Sequence, residues 1–532
     1  VLRGLSGDRL LVLEDGGRTG DLSATSSDHA VVIEPMTAER IEVIRGPESL
    51  QYGGSTLGGV VNVVRNYVPS NLPHRISGSA SLQGQSVNSG YSGGMDITGS
   101  VGALAYRADG SYRSTEDVNT PQGALLNTDL ENVNGSLGAS LFQNWGFIGA
   151  AGGYYKSDYG IPPDPYGGHP GGVTIDLKRT HFESRAEIYP RPNCLCRFNI
   201  SYNYSRYQHT EFESNGAVGI KFGVLTHNLS AVMHTRELGI FENGKIGLWG
   251  EYRDYATGGL SFTPPTKEYS MAGFIYQETH VGHFMFNGSV RFDARFIRPS
   301  EEKVINREDF VLYIRNRSFR GLSGAVSGHY HLSSSWSSGL SLMRSFRAPT
   351  IEELFSEGPH LAAYAYEVGN SELSSEGGLG AEVFMDYHAE DRNWRLAVFH
   401  NDISAYIYPQ NTGRFSLRRA DLLVYQHVGE SVRMTGVETT LNWRFSRNWS
   451  AGGNISYVRG ERREVNLPLS QIPPLGGKWR LSYNLGKLTL NGHFHFAFQQ
   501  NRLGENENLF PVLDENGNVI KDNNGDPVLE QL

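Results

Sequence analysis

The feature that most narrows the fold is a strict two-residue alternation that recurs along most of the chain. In KLTLNGHFHFAFQQ (487–500), Leu488, Leu490, Phe494, Phe496 and Phe498 share one face. Lys487, Thr489, Asn491, His493, His495 and Gln499 take the other. RFNISYNYSRY (197–207) repeats the pattern, with Phe198, Ile200, Tyr202 and Tyr204 set against Asn199, Ser201, Asn203 and Ser205. KWRLSYNLG (478–486) does so again with Trp479, Leu481, Tyr483 and Leu485. Successive side chains of a strand point to opposite faces, so each segment reads as a strand with one apolar and one wet side. A soluble sandwich alternates too, but its apolar faces need a partner sheet. Here strand after strand sets aromatic and aliphatic residues opposite hydrophilic ones, which suits lipid outside and a polar lumen inside. The expected fold class is all-β, a large antiparallel transmembrane barrel.

Composition fits this reading. There are 64 glycines, 27 tyrosines and 25 phenylalanines, and no apolar run approaches the ~18 residues of a spanning helix. The mean hydropathy of −0.38 would suggest a soluble protein, but alternating strands average out polar. A net charge of −9 leaves no basic surplus to neutralise phosphates, which argues against nucleic acid as a partner. Cys194 and Cys196 flank one residue in RPNCLCRF; an i,i+2 disulfide is geometrically awkward, so exposed turn cysteines are expected. None of the many serines lies in a nucleophile-elbow setting, and no catalytic role is expected.

The first 66 residues differ from the rest. Ile41, Val43 and Ile44 form a β-prone run that Arg45-Gly46-Pro47 breaks, and Val60 to Val64 form a second run with Asn62 as its only polar residue. Gly53-Gly54 and Gly58-Gly59 mark tight turns or close backbone approaches. The stretch 67–75, with two prolines, reads as a linker. Residues 76–532 then read as barrel, with room for about 18 to 20 strands. Short turns such as Glu242-Asn243-Gly244-Lys245 are expected at one rim.

IEVIRGP (41–47), a tyrosine followed by glycines (52–54) and GGVVNVV (58–64) closely resemble the plug domain of TonB-dependent outer-membrane receptors. RSFRAPTIEELFSEGP (344–359), GNSELSSE (369–376) and TGVE (435–438) are similar to barrel motifs of the same family, in the same order. The resemblance implies a plug inside the lumen of a barrel of the 22-stranded type, incomplete here. Segments at both ends, including the one that engages TonB, are expected to lie beyond this sequence. It also implies an outer-membrane monomer surrounded by lipid, an active transporter driven by the TonB–ExbB–ExbD complex, and no prosthetic group. It matches Arg3 and Arg45 of the plug to positions that face two barrel glutamates, here Glu376 and Glu438. Guanidinium–carboxylate pairs suit a plug that must be held and then released.

SSDHAVVIEPMTAERIEVIRGP (26–47) and EGPHLAAYAYEVGN (357–370) resemble the zinc-receptor branch of the family. By that resemblance Asp28, His29 and His360 would hold a metal, using the carboxylate and imidazole ligands that Zn2+ accepts. The sequence departs from that branch in its long early loop, where only Asp158, Asp164 and His169 could gather metal. The ligand expected is zinc or a similar divalent ion, with a ferric siderophore chelate or cobalamin as the alternative. An outer-membrane barrel enzyme and a passive porin are rival classes; neither has a use for the plug segment.

Overall fold

The computed structural model describes residues 2–25, 29–163, 171–190, 196–259, 263–360, 362–419, 422–505, 507, 509–512, 520–522 and 528–531. Near the N-terminus, β1 (Leu11–Glu14), β2 (Gly17–Arg18), β3 (Arg40–Ile44) and β4 (Val60–Val64) hydrogen-bond in the order β2-β1-β4-β3. β4 runs parallel to β1 and antiparallel to β3. Its β-branched residues favour this central place, and Val60 and Val63 are buried. The lone polar residue Asn62 accepts the Gly16 N–H at 2.8 Å and donates to Glu42 at 3.0 Å. After β3 the chain turns through the 3-10 segment Gly46–Gln51, with Pro47 in its first turn. Gly59 enters β4 with φ +108°, a conformation that side chains other than glycine's resist.

The wall begins at Ser77. From Ser77–Gln85 to Leu488–Ala497 its strands pair in one sheet that curls into a barrel, antiparallel except where Ala365–Val368 lies parallel to Leu423–Gln426. The strands grow from 9 residues in the first to 24 in Arg392–Phe415. A bilayer takes only about 9–11 residues per strand, so the longer ones rise beyond the lipid. The outer face is apolar where the alternation predicts it: Phe198, Ile200, Leu488, Leu490 and Phe494 are all exposed. No helix among the described residues is long and apolar enough to cross a membrane.

The N-terminal sheet sits inside this wall. The sheet and the segments between its strands make ion pairs with Arg113, Arg179, Glu251 and Glu438, on strands far apart around the barrel. At Gly54 an added Cβ would come within 2.6 Å of Asp293 Oδ2, so glycine lets this plug loop lie directly on the wall. The stretch after β4 also docks: Tyr67 and Val68 are buried against Phe147 and Ala151.

Two local expectations are corrected. Glu242 to Lys245 do not form a turn; they lie within the strand Phe241–Gly259. The reversal comes at Gly239 and Ile240, where Leu238 pairs with Phe241 and Gly239 takes φ +65°. Glycine's access to positive φ thus outweighs the Asn-Gly signal three residues on. Cys196 is disulfide-bonded and half-buried, not a free exposed thiol; Cys194 lies outside the described residues.

Candidate metal centre

His29 belongs to an irregular apex loop of the plug. Asp21 folds this loop, its carboxylate accepting the N–H groups of Ser23 and Val32 at 3.1 Å each. The Ala30 N–H then donates to the Tyr159 hydroxyl at 3.1 Å, which pins the loop to the wall. His29 is thereby buried, with Nδ1 3.1 Å from the Leu22 carbonyl oxygen. The Thr25 hydroxyl stands at the same distance from Nδ1. A carbonyl only accepts, so the tautomer with the proton on Nδ1 satisfies Leu22 and is the one that turns the Nε2 lone pair toward Glu211.

His209 and Glu211 come from the upper end of the strand Cys196–Glu213, on its inward face with Ser205 and Tyr207. Tyr207 is fully buried and its hydroxyl lies 2.6 Å from His209 Nδ1. His360 comes from an insertion between wall strands. There Thr350 and Glu353 form a capping box on the short helix Ile351–Phe355. The hairpin Glu357–His360 with Ala365–Val368 follows, and its second strand lies parallel to Leu423–Gln426. His360 Nδ1 donates to Glu367 Oε1 at 2.9 Å.

These elements bring three imidazoles to one carboxylate. The Nε2 atoms of His209, His29 and His360 lie 3.4, 3.7 and 3.9 Å from Glu211 Oε1. Ligand atoms of His29, His209 and Glu211 all fall within 4.8 Å of one another. Bonds of about 2.0–2.1 Å in a tetrahedral zinc site give ligand–ligand edges of about 3.3–3.4 Å; the His209–Glu211 distance already has this value, and the other ligand atoms would have to draw in. Both Glu211 oxygens are buried, and the imidazoles of His209 and His29 are among the groups that face them. Each imidazole is oriented through Nδ1 by a second group, the arrangement that metal-ligating histidines use. Phe222 packs against His29 and His209, with ring centroids 5.5 and 4.5 Å away.

Of the three metal residues expected from sequence, His29 and His360 meet here, their ring centroids 5.1 Å apart. Asp28 lies outside the described residues, as do Asp164 and His169 of the early loop. Asp158 pairs with Lys156. Sequence reasoning missed His209 and Glu211. A cavity of about 540 Å3 adjoins the cluster, lined by His29, His360, Glu352, Tyr364, Tyr408 and His427 among others.

The charge cluster is arranged differently from expectation. Arg3 donates from Nε to Glu438 at 3.0 Å and Arg45 from Nη1 to the same carboxylate at 2.8 Å. Arg3 also reaches Glu382. Neither arginine takes Glu376. That glutamate is buried, and its partners are Arg9 of the plug, Arg347 at 2.6 Å and the Ile407 N–H at 2.7 Å. The reason is local. Arg3 has φ +55° in a tight Leu2–Leu5 turn that carries it toward Glu438. Arg9 instead lies 3.7 Å over the Tyr406 ring, which aims its guanidinium at Glu376.

A lipid-facing barrel with a folded domain ion-paired inside its lumen defines the class of plugged outer-membrane receptors. Residues 1–60 match the description "TonB-dependent Receptor Plug Domain" and residues 66–522 "TonB dependent receptor-like, beta-barrel". The chain belongs to the TonB-dependent receptor family, whose barrels lie in the outer membrane.

Among relatives, it is 29% identical over 174 residues to "Vitamin B12 transporter BtuB" of Photobacterium profundum. It is 26% identical over 196 residues to "Hemin receptor" of Yersinia pestis. The alignments cover 31% and 35% of this chain, and only 27% and 28% of those proteins. Among solved structures, "Copper transporter OprC" superposes with a TM-score of 0.77 at 17% identity, covering 95% of this chain and 79% of that one. The FrpB iron transporter from Neisseria meningitidis (F3-3 variant) gives 0.71 at 11% identity, covering 100% and 84%. At these identities the likeness is one of fold.

Proposed function

We propose that this receptor captures a bare divalent metal ion, zinc first among them, and passes it inward when TonB moves the plug. The observation that carries this reading is the convergence of three imidazole Nε2 atoms on the buried Glu211 carboxylate. Nitrogen-rich, four-ligand sites suit Zn2+, and Cu2+ accepts the same donors, whereas Mg2+ and Ca2+ prefer oxygen. The resemblance to the zinc-receptor branch and the name of the copper transporter among its structural neighbours support the same class of cargo. His29 belongs to the plug, whereas His209, Glu211 and His360 belong to the barrel. Moving the plug therefore removes a ligand, and binding is coupled to release. Arg3, Arg45 and Glu438, with Arg9 on Glu376, would hold the plug until then. The TonB–ExbB–ExbD complex would supply the pull.

The test is calorimetric titration of the purified protein with Zn2+. One tight site is expected, weakened at least a hundredfold by His209→Ala or Glu211→Gln; unchanged binding would overturn the reading. A second reading, uptake of a ferric chelate, is favoured by the 540 Å3 cavity beside the histidines, which is larger than an ion requires. Expression in a strain lacking its own zinc receptor separates the two. Growth rescued by ferric chelate but not by limiting zinc would reverse their order.

A further inference from the structure

Below the histidine cluster a series of adjoining cavities lies between the plug and the wall. The 540 Å3 cavity shares Ser6, Gly7, Asp8 and Thr350 with a second cavity of about 330 Å3. That one shares Asp8, Glu251 and Glu268 with a third of about 60 Å3, bordered by Trp249 and Asp293. On the strand Phe241–Gly259 the inward residues Tyr255, Arg253, Glu251 and Trp249 succeed one another from the first cavity to the third. Alternate residues lie about 6.8 Å apart along a strand, so these side chains step down the lumen between plug and wall.

Carboxylates line the way. Glu352 faces the first cavity from the insertion that also carries His360; both its carboxylate oxygens are buried, with the Thr350 side chain and the Arg253 charge acting on them and no close hydrogen bond to another side chain among the described residues. Asp8 of the plug borders all three cavities. Glu251 lines the second and third; it is 9% exposed, and its buried Oε2 makes no hydrogen bond among the described residues, with Arg18 Nε paired to it only at 4.0 Å. Arg253 borders the second cavity and faces Glu352 and Asp8 electrostatically. Glu268 is already taken by Arg295 at 2.6 Å. A buried carboxylate lacking hydrogen bonds is costly unless something fills its place. A partly hydrated divalent cation would do so, since oxygen ligands and retained water suit it.

We propose that Glu352, Asp8 and Glu251 form oxygen-ligand transit stations for a divalent cation, on a path that starts at the histidine cluster and descends between plug and wall. This rests on the proposed function for its cargo but not for its chemistry. The cation passes from a nitrogen-rich site that holds tightly to oxygen sites that hold weakly, and Arg253 and Arg18 balance the stations when they are empty.

The test is titration of the full chain, its histidine site first filled with Zn2+, with Mn2+ followed by electron paramagnetic resonance. Wild type is expected to bind Mn2+ in the presence of Zn2+. Glu352→Gln and Glu251→Gln are each expected to weaken that binding at least tenfold while leaving Zn2+ binding intact, which also shows that the variants are folded. His209→Ala is expected to lose the tight Zn2+ site and keep the Mn2+ signal. No Mn2+ binding, or binding indifferent to both glutamate variants, overturns the proposal. Zn2+ binding indifferent to His209→Ala overturns the proposed function instead, and the Mn2+ arms then decide this one alone.

Discussion

Tyr207 touches no proposed ligand atom, yet it fixes how His209 is presented. Its hydroxyl stands 2.6 Å from Nδ1 in a fully buried setting. Removing an outer partner of this kind typically weakens metal binding by about 10–100-fold. Tyr207→Phe should therefore lower Zn2+ affinity by about that factor, measured by calorimetry, while leaving barrel thermal unfolding unchanged. The plug clasp makes a second prediction. Arg45→Ala and Glu438→Ala should be non-additive in plug stability by roughly 0.5–3 kcal/mol, whereas Arg45→Ala and Glu376→Ala should add, because those two groups do not meet. Hydrogen exchange of the plug amides would measure both. His209 and Glu211 were within reach of the sequence, since they continue the odd-numbered wet face of Asn199, Ser201, Asn203 and Ser205. That periodicity puts them in the lumen but cannot say which lumenal residue meets His29, because the match depends on barrel register and plug height. The pairing of Arg9 with Glu376 was hidden for the same reason: it follows from a turn and a ring contact that the spacing does not encode.

The plug sheet was more legible than its fastenings. Its two strands on either side of the glycine turns were readable from β-branched runs and breakers, because both are local. What it leans on was not readable. Gly54 illustrates this: a doublet of glycines predicts a close approach, but only the fold identifies Asp293, Ser323 and the Phe346 carbonyl as the surface approached. Gly54→Val should loosen the plug by about 1–3 kcal/mol through overpacking, seen as faster amide exchange in β4 with the barrel unaffected. Glu14 gives the element a pH dependence. Burial pushes its carboxyl up, but the guanidiniums of Arg179 and Arg65, with His181, hold it down at about 2 from an ordinary 4.5. A depressed value means the charged form stabilises docking above about 4.5, and that contribution fades as pH falls toward 2. Plug protection should therefore drop across that window, and Glu14→Gln should flatten the profile.

At the scale of the molecule, the barrel was readable because lipid enforces one rule on every strand, whereas the proposed cargo site is assembled from distant parts. Splitting that site between two bodies makes the ion a fastener. Zn2+ at a hundred times its dissociation constant should steady the plug by about 2.7 kcal/mol. His29→Ala should abolish the effect, with plug unfolding in denaturant as the readout. The remaining fasteners are ion pairs set at intervals around the lumen, from Arg3 and Arg9 through Glu14 and Glu34 to Arg65. Contacts placed in series part like the teeth of a zip. The peak force of extraction is then set by the few pairs loaded at one moment, not by their sum, and each released charge is wetted at once by the lumen it leaves open.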